Sequence, residues 1–230
     1  DMISNIKESY DTFKYWYKLS KSMIFVDPCR HYNRESSKSM ESDFDGSNII
    51  TSIVDINVED KVKWIKYRKA IEKWLSEILM ESISIDVNGE KGLDFNLSRG
   101  NESIILSLNE LGTGVSQIFM LLSYLFINKE KSMNIFIEEP ECNLHPDALI
   151  KFMKVLEEEF QNNTFFITTH SSSLLDKMNE NWGIYRVFSG DEHQSLLDEC
   201  KGIVNVYNVL DDLGIKASQL LQSNMIIWIE

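Results

Sequence analysis

Two short apolar runs, Ile135-Phe136-Ile137 and Phe165-Phe166-Ile167, constrain the fold more than any other feature of the chain. Each run is continuous rather than alternating, and a helix-length segment separates them. Such runs alternating with helices predict parallel strands covered on both faces, because crossover helices pack on either side of a parallel sheet. The region 103–190 is therefore expected to be α/β, with a strand, a glycine turn and a helix ahead of the first run. Upstream, 83–87 and 93–97 alternate in polarity around Asn88-Gly89, the pattern of a β-hairpin. Earlier still, the spacing predicts a helix over 4–22, a short strand over 24–26, a polar surface loop over 30–43 and a helix over about 58–80. The apolar stripe of that last helix reads as Val58, Val62, Ile65, Leu75, Ile78 and Leu79.

With 43% hydrophobic and 26% charged positions, the 230 residues can bury one sizeable core. The longest near-apolar run, 118–127, falls short of the roughly 18 to 20 residues that cross a bilayer, and the first residues lack a basic-then-apolar leader. The expected address is the cytoplasm, with no membrane partner. Cys29, Cys142 and Cys200 lie far apart and read as reduced thiols. A net charge of −13 argues against a protein that coats nucleic acid, since neutralising phosphates needs clustered cations. DNA contact would have to be local. The candidate stretch is Lys61, Lys63, Lys66, Arg68, Lys69 and Lys73, interleaved with Trp64, Tyr67 and Trp74. It reads first as a solvated helix face with its apolar positions turned inward, and DNA binding is the alternative.

The chemistry concentrates where the apolar runs end. Ile135-Phe136-Ile137 leads into Glu138-Glu139-Pro140-Glu141 and then Leu144-His145-Pro146. Carboxylates at the C-terminal edge of a parallel strand sit where open α/β sheets bind ligands. One of them suits magnesium beside nucleotide phosphates, and its neighbour can orient or deprotonate an attacking water. Taken alone, the pair would only mark the strand's exit into solvent. The second run ends in Thr168-Thr169-His170-Ser171, whose histidine can donate a hydrogen bond to phosphate or cap the helix beginning near Ser172 or Ser173. Upstream, Gly112-Thr113-Gly114 opens an apolar helix, and unobstructed amides at a helix start can bind phosphate.

In this order the three motifs, over about residues 103–176, resemble the ATPase of the OLD family and its RecF-like and SMC-like relatives, ABC-type heads among the AAA proteins. Phe44-Asp45-Gly46-Ser47-Asn48 is similar to the Gly-Ser-Asn ahead of the helical insertion in such heads, which extends the match to about residue 44. The resemblance implies part of an ABC-type P-loop NTPase fold, a parallel sheet with flanking helices plus a helical insertion. It implies ATP and Mg2+ as ligands. Glu138 matches the Walker B residue that helps hold magnesium, Glu139 the catalytic glutamate and His170 the switch histidine. Gly112, Thr113 and Gly114 match the signature loop, which contacts ATP bound to the opposite subunit. Glu141 to His145 falls in the loop that crosses the dimer interface. Glu138 stands where ABC transporters carry Asp, and the signature lacks the Leu-Ser-Gly-Gly-Gln form.

The 230 residues contain no Gly-x-x-x-x-Gly-Lys-Ser/Thr, so the phosphate loop is expected from an N-terminal Walker A half outside them. The expected organisation is a helical insertion with connecting segments over 1–82 and a C-terminal ATPase lobe over 83–222. Residues 223–230 resemble the start of a Toprim nuclease domain, with Glu230 as its metal ligand. The implied function is ATP binding and hydrolysis by heads that form a homodimer or higher oligomer, controlling DNA engagement or a nuclease or effector partner in phage defence or DNA repair. Two alternatives stay open: a nucleotide-dependent scaffold that holds an effector with little turnover, and the ATPase part of a Toprim DNA endonuclease.

Overall fold

The computed structural model describes residues 23–26, 47–88, 92–100, 102–175, 181–190, 194–200 and 209. The expected helix over 4–22, the loop over 30–43, Cys29, the Gly89 turn and the terminal segment with Glu230 lie outside these residues. The chain divides into two compact units, Asp1–Thr169 and His170–Glu230.

In the first unit, β1 (Met23–Val26), β5 (Asn134–Glu138) and β6 (Thr164–Thr168) form a parallel sheet in the order β1-β5-β6. The register aligns Phe25, Phe136 and Phe166 across the strands, and Glu138 with Thr168. Ile24, Ile135 and Ile137 are buried on one face. On the other, the three phenyl rings stack at centroid distances of 4.8 and 4.7 Å. Phe25 and Phe166 each remain 49% exposed, so among the described residues the expected cover is found on one face only. The aromatic ladder buries its rings partly against each other.

A second sheet is antiparallel: β2 (Ser82–Asn88), β3 (Gly92–Arg99) and β4 (Glu102–Ser107), in that order. The expected hairpin is β2–β3. Asn88 closes it with its side chain, Oδ1 accepting from Gly92 N at 3.0 Å while Nδ2 donates to Asp94 at 2.9 Å. The first strand expected in the α/β region is β4, and it joins this antiparallel sheet. Among the described residues the parallel strands are β1, β5 and β6.

The helices are α1 (Ser47–Glu59), α2 (Lys61–Leu79), α3 (Thr113–Ile127) and α4 (Pro146–Glu159), with one further turn, α5 (Ser172–Leu175), in the second unit. The helix expected over about 58–80 is α2, and α1 precedes it as a separate helix. Asp60 separates the two and caps α2, accepting from Lys63 N at 2.9 Å, a frequent use of Asp at a helix start. The expected stripe is displaced in its first part only. Val58, Val62 and Ile65 are 69%, 65% and 59% exposed, Leu75 and Ile78 are buried as expected, and Trp64, Tyr67, Ile71 and Trp74 complete the buried side. The aromatic residues win because each removes far more apolar surface from water than a valine does.

Helix α2 packs against α1, α3, α4 and β2 and so organises the core. Trp74 lies edge-on to Phe160 at 5.1 Å, Tyr67 edge-on to Phe126 at 5.4 Å, and Phe95 of β3 edge-on to Phe119 of α3 at 4.9 Å. The phenol of Tyr67 and the hydroxyl of Ser123 are 2.8 Å apart, and Ser123 donates to Phe119 O at 2.7 Å, so these buried polar groups are satisfied. With its aromatics buried, α2 presents Lys61, Lys63, Lys66 and Lys69 as a solvated face, the first of the two readings of this stretch. The second unit carries the antiparallel hairpin β7 (Tyr185–Ser189) and β8 (Ser195–Glu199). No helix among the described residues is long and apolar enough to cross a membrane.

Candidate functional site

Strand β5 ends on Glu138, which is exposed at the sheet's C-terminal edge beside Thr168 of β6. The next residue, Glu139, is half-buried and adopts a left-handed backbone with φ 44°. For a residue with a Cβ this conformation is disfavoured and persists only where surrounding contacts impose it. Here Glu139 N donates to Thr168 O at 2.9 Å, and Glu139 O accepts from Cys142 N at 3.0 Å. The Cys142 thiol donates weakly to Glu139 Oε2 at 3.6 Å. Glu141, also half-buried, accepts a 2.8 Å hydrogen bond from Thr169 Oγ1, and Leu144 N donates to Glu141 O at 3.1 Å. Asn143 is again left-handed, with φ 64°. The turn thus holds three carboxylates in fixed relation to two strand ends.

His145 ends the turn as N-cap of α4, its Nδ1 accepting from Asp147 N at 3.3 Å, and Pro146 fills the first helical position, where no amide hydrogen is needed. The His145 Nδ1 also lies 3.8 Å from Asp147 Oδ2, and the ring is exposed.

The start of α3 comes to the same turn. Gly112 is its N-cap, without a side-chain cap, and both Gly112 and Thr113 are exposed. Gly114 is buried against the turn: a Cβ there would overlap the carbonyl oxygen of Asn143 and approach Leu144 Cδ2 to 2.8 Å. Glycine is required at 114 by this close approach of backbone to backbone. Ahead of α3, Glu110 Oε2 accepts from both N and Oγ of Ser107 at 2.8 Å each, and these bonds hold its carboxyl below the usual range.

Glu138, Glu139, Glu141 and Gly112 to Gly114 therefore belong to one unit and to adjoining segments of it. His170 is exposed and opens the second unit, next in the chain to Thr169. The sequence pattern assigns Cys142, Asn143 and Thr169 no individual role at the site. Left-handed backbone at Glu139 and Asn143 leaves no mark in composition or periodicity, although Asn is among the residues that tolerate it.

No group of three or more His, Cys, Asp or Glu suited to a metal occurs among the described residues. Glu138 fits magnesium held in the other common way, by one carboxylate together with substrate phosphates.

Residues 3–175 match the AAA ATPase domain family. The chain belongs to that family. No curated protein matches it significantly. Among solved structures this AAA ATPase domain is similar to one described under ATP-driven dimerization and DNA-stimulated activation of SMC ATPases. The identity is 12%, the TM-score 0.53, and the match covers 70% of this chain and 98% of the other. A second match is the Smc head domain with a coiled coil and joint derived from Pyrococcus yayanosii, at 14% identity and TM-score 0.49, covering 73% of this chain and 33% of that one. The fold of the AAA ATPase domain is accordingly a mixed α/β arrangement with a parallel sheet and flanking helices, resembling the SMC ATPase head.

Proposed function

We propose that these residues form the signature and Walker B portion of an ATP-hydrolysing head of the OLD, RecF and SMC-like kind. The organisation proposed is a helical insertion with connecting segments over 1–82, among which β1 joins the parallel sheet, and a C-terminal ATPase lobe over 83–222. Membership of an ATPase family supports ATP binding and hydrolysis. The observation that carries the finer reading is Glu139, fixed in a left-handed conformation directly after Glu138 at the end of a parallel strand. Strain of this kind concentrates at functional sites.

In this reading Glu139 orients the attacking water and accepts its proton, and Glu138 binds the metal. Glu138 would hold magnesium, which would supply neutralisation of charge on the phosphates and offset the repulsion between two adjacent carboxylates. The exposed Gly112 and Thr113, with the α3 amides, face the γ-phosphate of ATP held by a second subunit. ATP-driven dimerization is described for the SMC ATPases similar in fold. His170 senses the γ-phosphate, and Glu141 and His145 belong to the segment that meets the second subunit. A Walker A loop outside the 230 residues completes each site. The work that hydrolysis serves is control of DNA engagement or of an effector, as in phage defence or repair.

Mixing two defective proteins tests the shared site. Thr113→Ala and Glu139→Gln subunits, each inactive alone, form heterodimers in which one site has an intact Glu139 from one chain and an intact Thr113 from the other. Turnover should reappear on mixing. Two variants that stay inactive when mixed, though they associate, would rule out a site shared across subunits.

A further inference from the structure

The start of α3 and the turn that carries Glu139 are one mechanical piece. Gly114 sits directly on the peptide of Asn143, whose carbonyl carbon would lie 2.9 Å from a Cβ at position 114. These are backbone atoms, so neither can step aside by changing rotamer. The turn between Asn143 and Glu139 is stiff in its own right. It is left-handed at both ends, with φ 44° at Glu139 and 64° at Asn143. Inside it, Cys142 N bonds to Glu139 O at 3.0 Å and Cys142 Sγ contacts Glu139 Oε2 at 3.6 Å. A shift at Gly112 to Gly114 must therefore move Asn143, and the constrained turn passes the movement to the Glu139 carboxylate.

We infer that Asn143 is a positioning residue, which couples whatever binds at Gly112 to Gly114 to the alignment of Glu139 in the same chain. The inference rests on the role proposed for Glu139 above.

The test uses the intact protein and compares ATP turnover, ATP binding and thermal melting for wild type, Asn143→Gly, Gly114→Ala, the double variant and Glu139→Gln. Glycine at 143 keeps the left-handed turn while removing its stiffness. The expected result is a fall in kcat of about tenfold for Asn143→Gly with KM and melting little changed, because small misplacements of a catalytic group act on the chemical step. Gly114→Ala should lower kcat further, and the double variant should recover part of that loss, since a loosened turn can yield to the added methyl. If Gly114→Ala fails to fold, Asn143→Gly decides. Wild-type kcat in Asn143→Gly, or an effect confined to KM, overturns the coupling while Glu139→Gln remains inactive. Wild-type turnover by Glu139→Gln would instead remove the role of Glu139 on which the coupling rests.

Discussion

Thr169 Oγ1 donates a 2.8 Å hydrogen bond to Glu141 Oε1, fastening the end of β6 to the turn that follows β5. One residue back, Thr168 O accepts from Glu139 N at 2.9 Å. The two stitches hold neighbouring strand ends in register where the chain leaves the sheet, so the carboxylates do not depend on a free loop for their placement. Hydrogen bonds to a charged acceptor contribute about 1.5 to 3 kcal/mol when the partners are shielded from water. Thr169→Val, which keeps the shape and removes the donor, should cost about 1 to 2 kcal/mol in denaturant unfolding, and Thr169→Ser should restore most of it. Equal stability of all three proteins would show that the bond contributes nothing.

Trp74 offers a test of which side of α2 is the core. It is 2% exposed and lies between Phe160 and Phe126. Trp74→Ala should destabilise by about 3 to 5 kcal/mol, the usual cost of emptying a large aromatic site. Val62→Asp on the exposed side should stay within about 0.5 kcal/mol of wild type. Urea midpoints of the two variants measure the contrast, and a comparable loss at Val62 would restore the valine stripe.

Alkaline pH should expose the Tyr67 phenol. Burial pushes its ionisation far above the ordinary value of 10.0, a rise that the Ser123 hydrogen bond only partly opposes. Because the folded value is raised, this contribution to stability is complete below about pH 10 and is lost as pH climbs beyond it, where the unfolded chain releases the proton and the folded chain keeps it. Tyr67→Phe should cost about 1 kcal/mol near neutral pH through the lost hydrogen bond, and its stability should fall less steeply than that of wild type above pH 10. Parallel curves for both proteins would remove Tyr67 from the alkaline transition.

The contrast between α2 and the parallel sheet explains what can be read from sequence. Strands β5 and β6 are legible because a buried parallel strand needs an unbroken apolar run, and Ile135-Phe136-Ile137 and Phe165-Phe166-Ile167 supply it. The hairpin is legible because Asn88-Gly89 joins two alternating segments. The first half of helix α2 carries Val62 and Ile65 on one side and Trp64 and Tyr67 on the other, so spacing alone cannot decide which side is buried. Packing against α3 and α4 decides it. The carboxylates after β5 are legible as a motif, but their mutual arrangement is not. It depends on left-handed backbone at Glu139 and Asn143 and on Gly114 meeting Asn143 from another part of the chain.

The central claim is that Glu139 performs the hydrolytic step, and magnesium-dependent ATP turnover by the intact protein, wild type against Glu139→Gln, tests it most directly. The variant should bind ATP as wild type does while kcat falls by about two orders of magnitude or more, the usual contribution of a positioned general base. Turnover by Glu139→Gln at the wild-type rate would contradict the account.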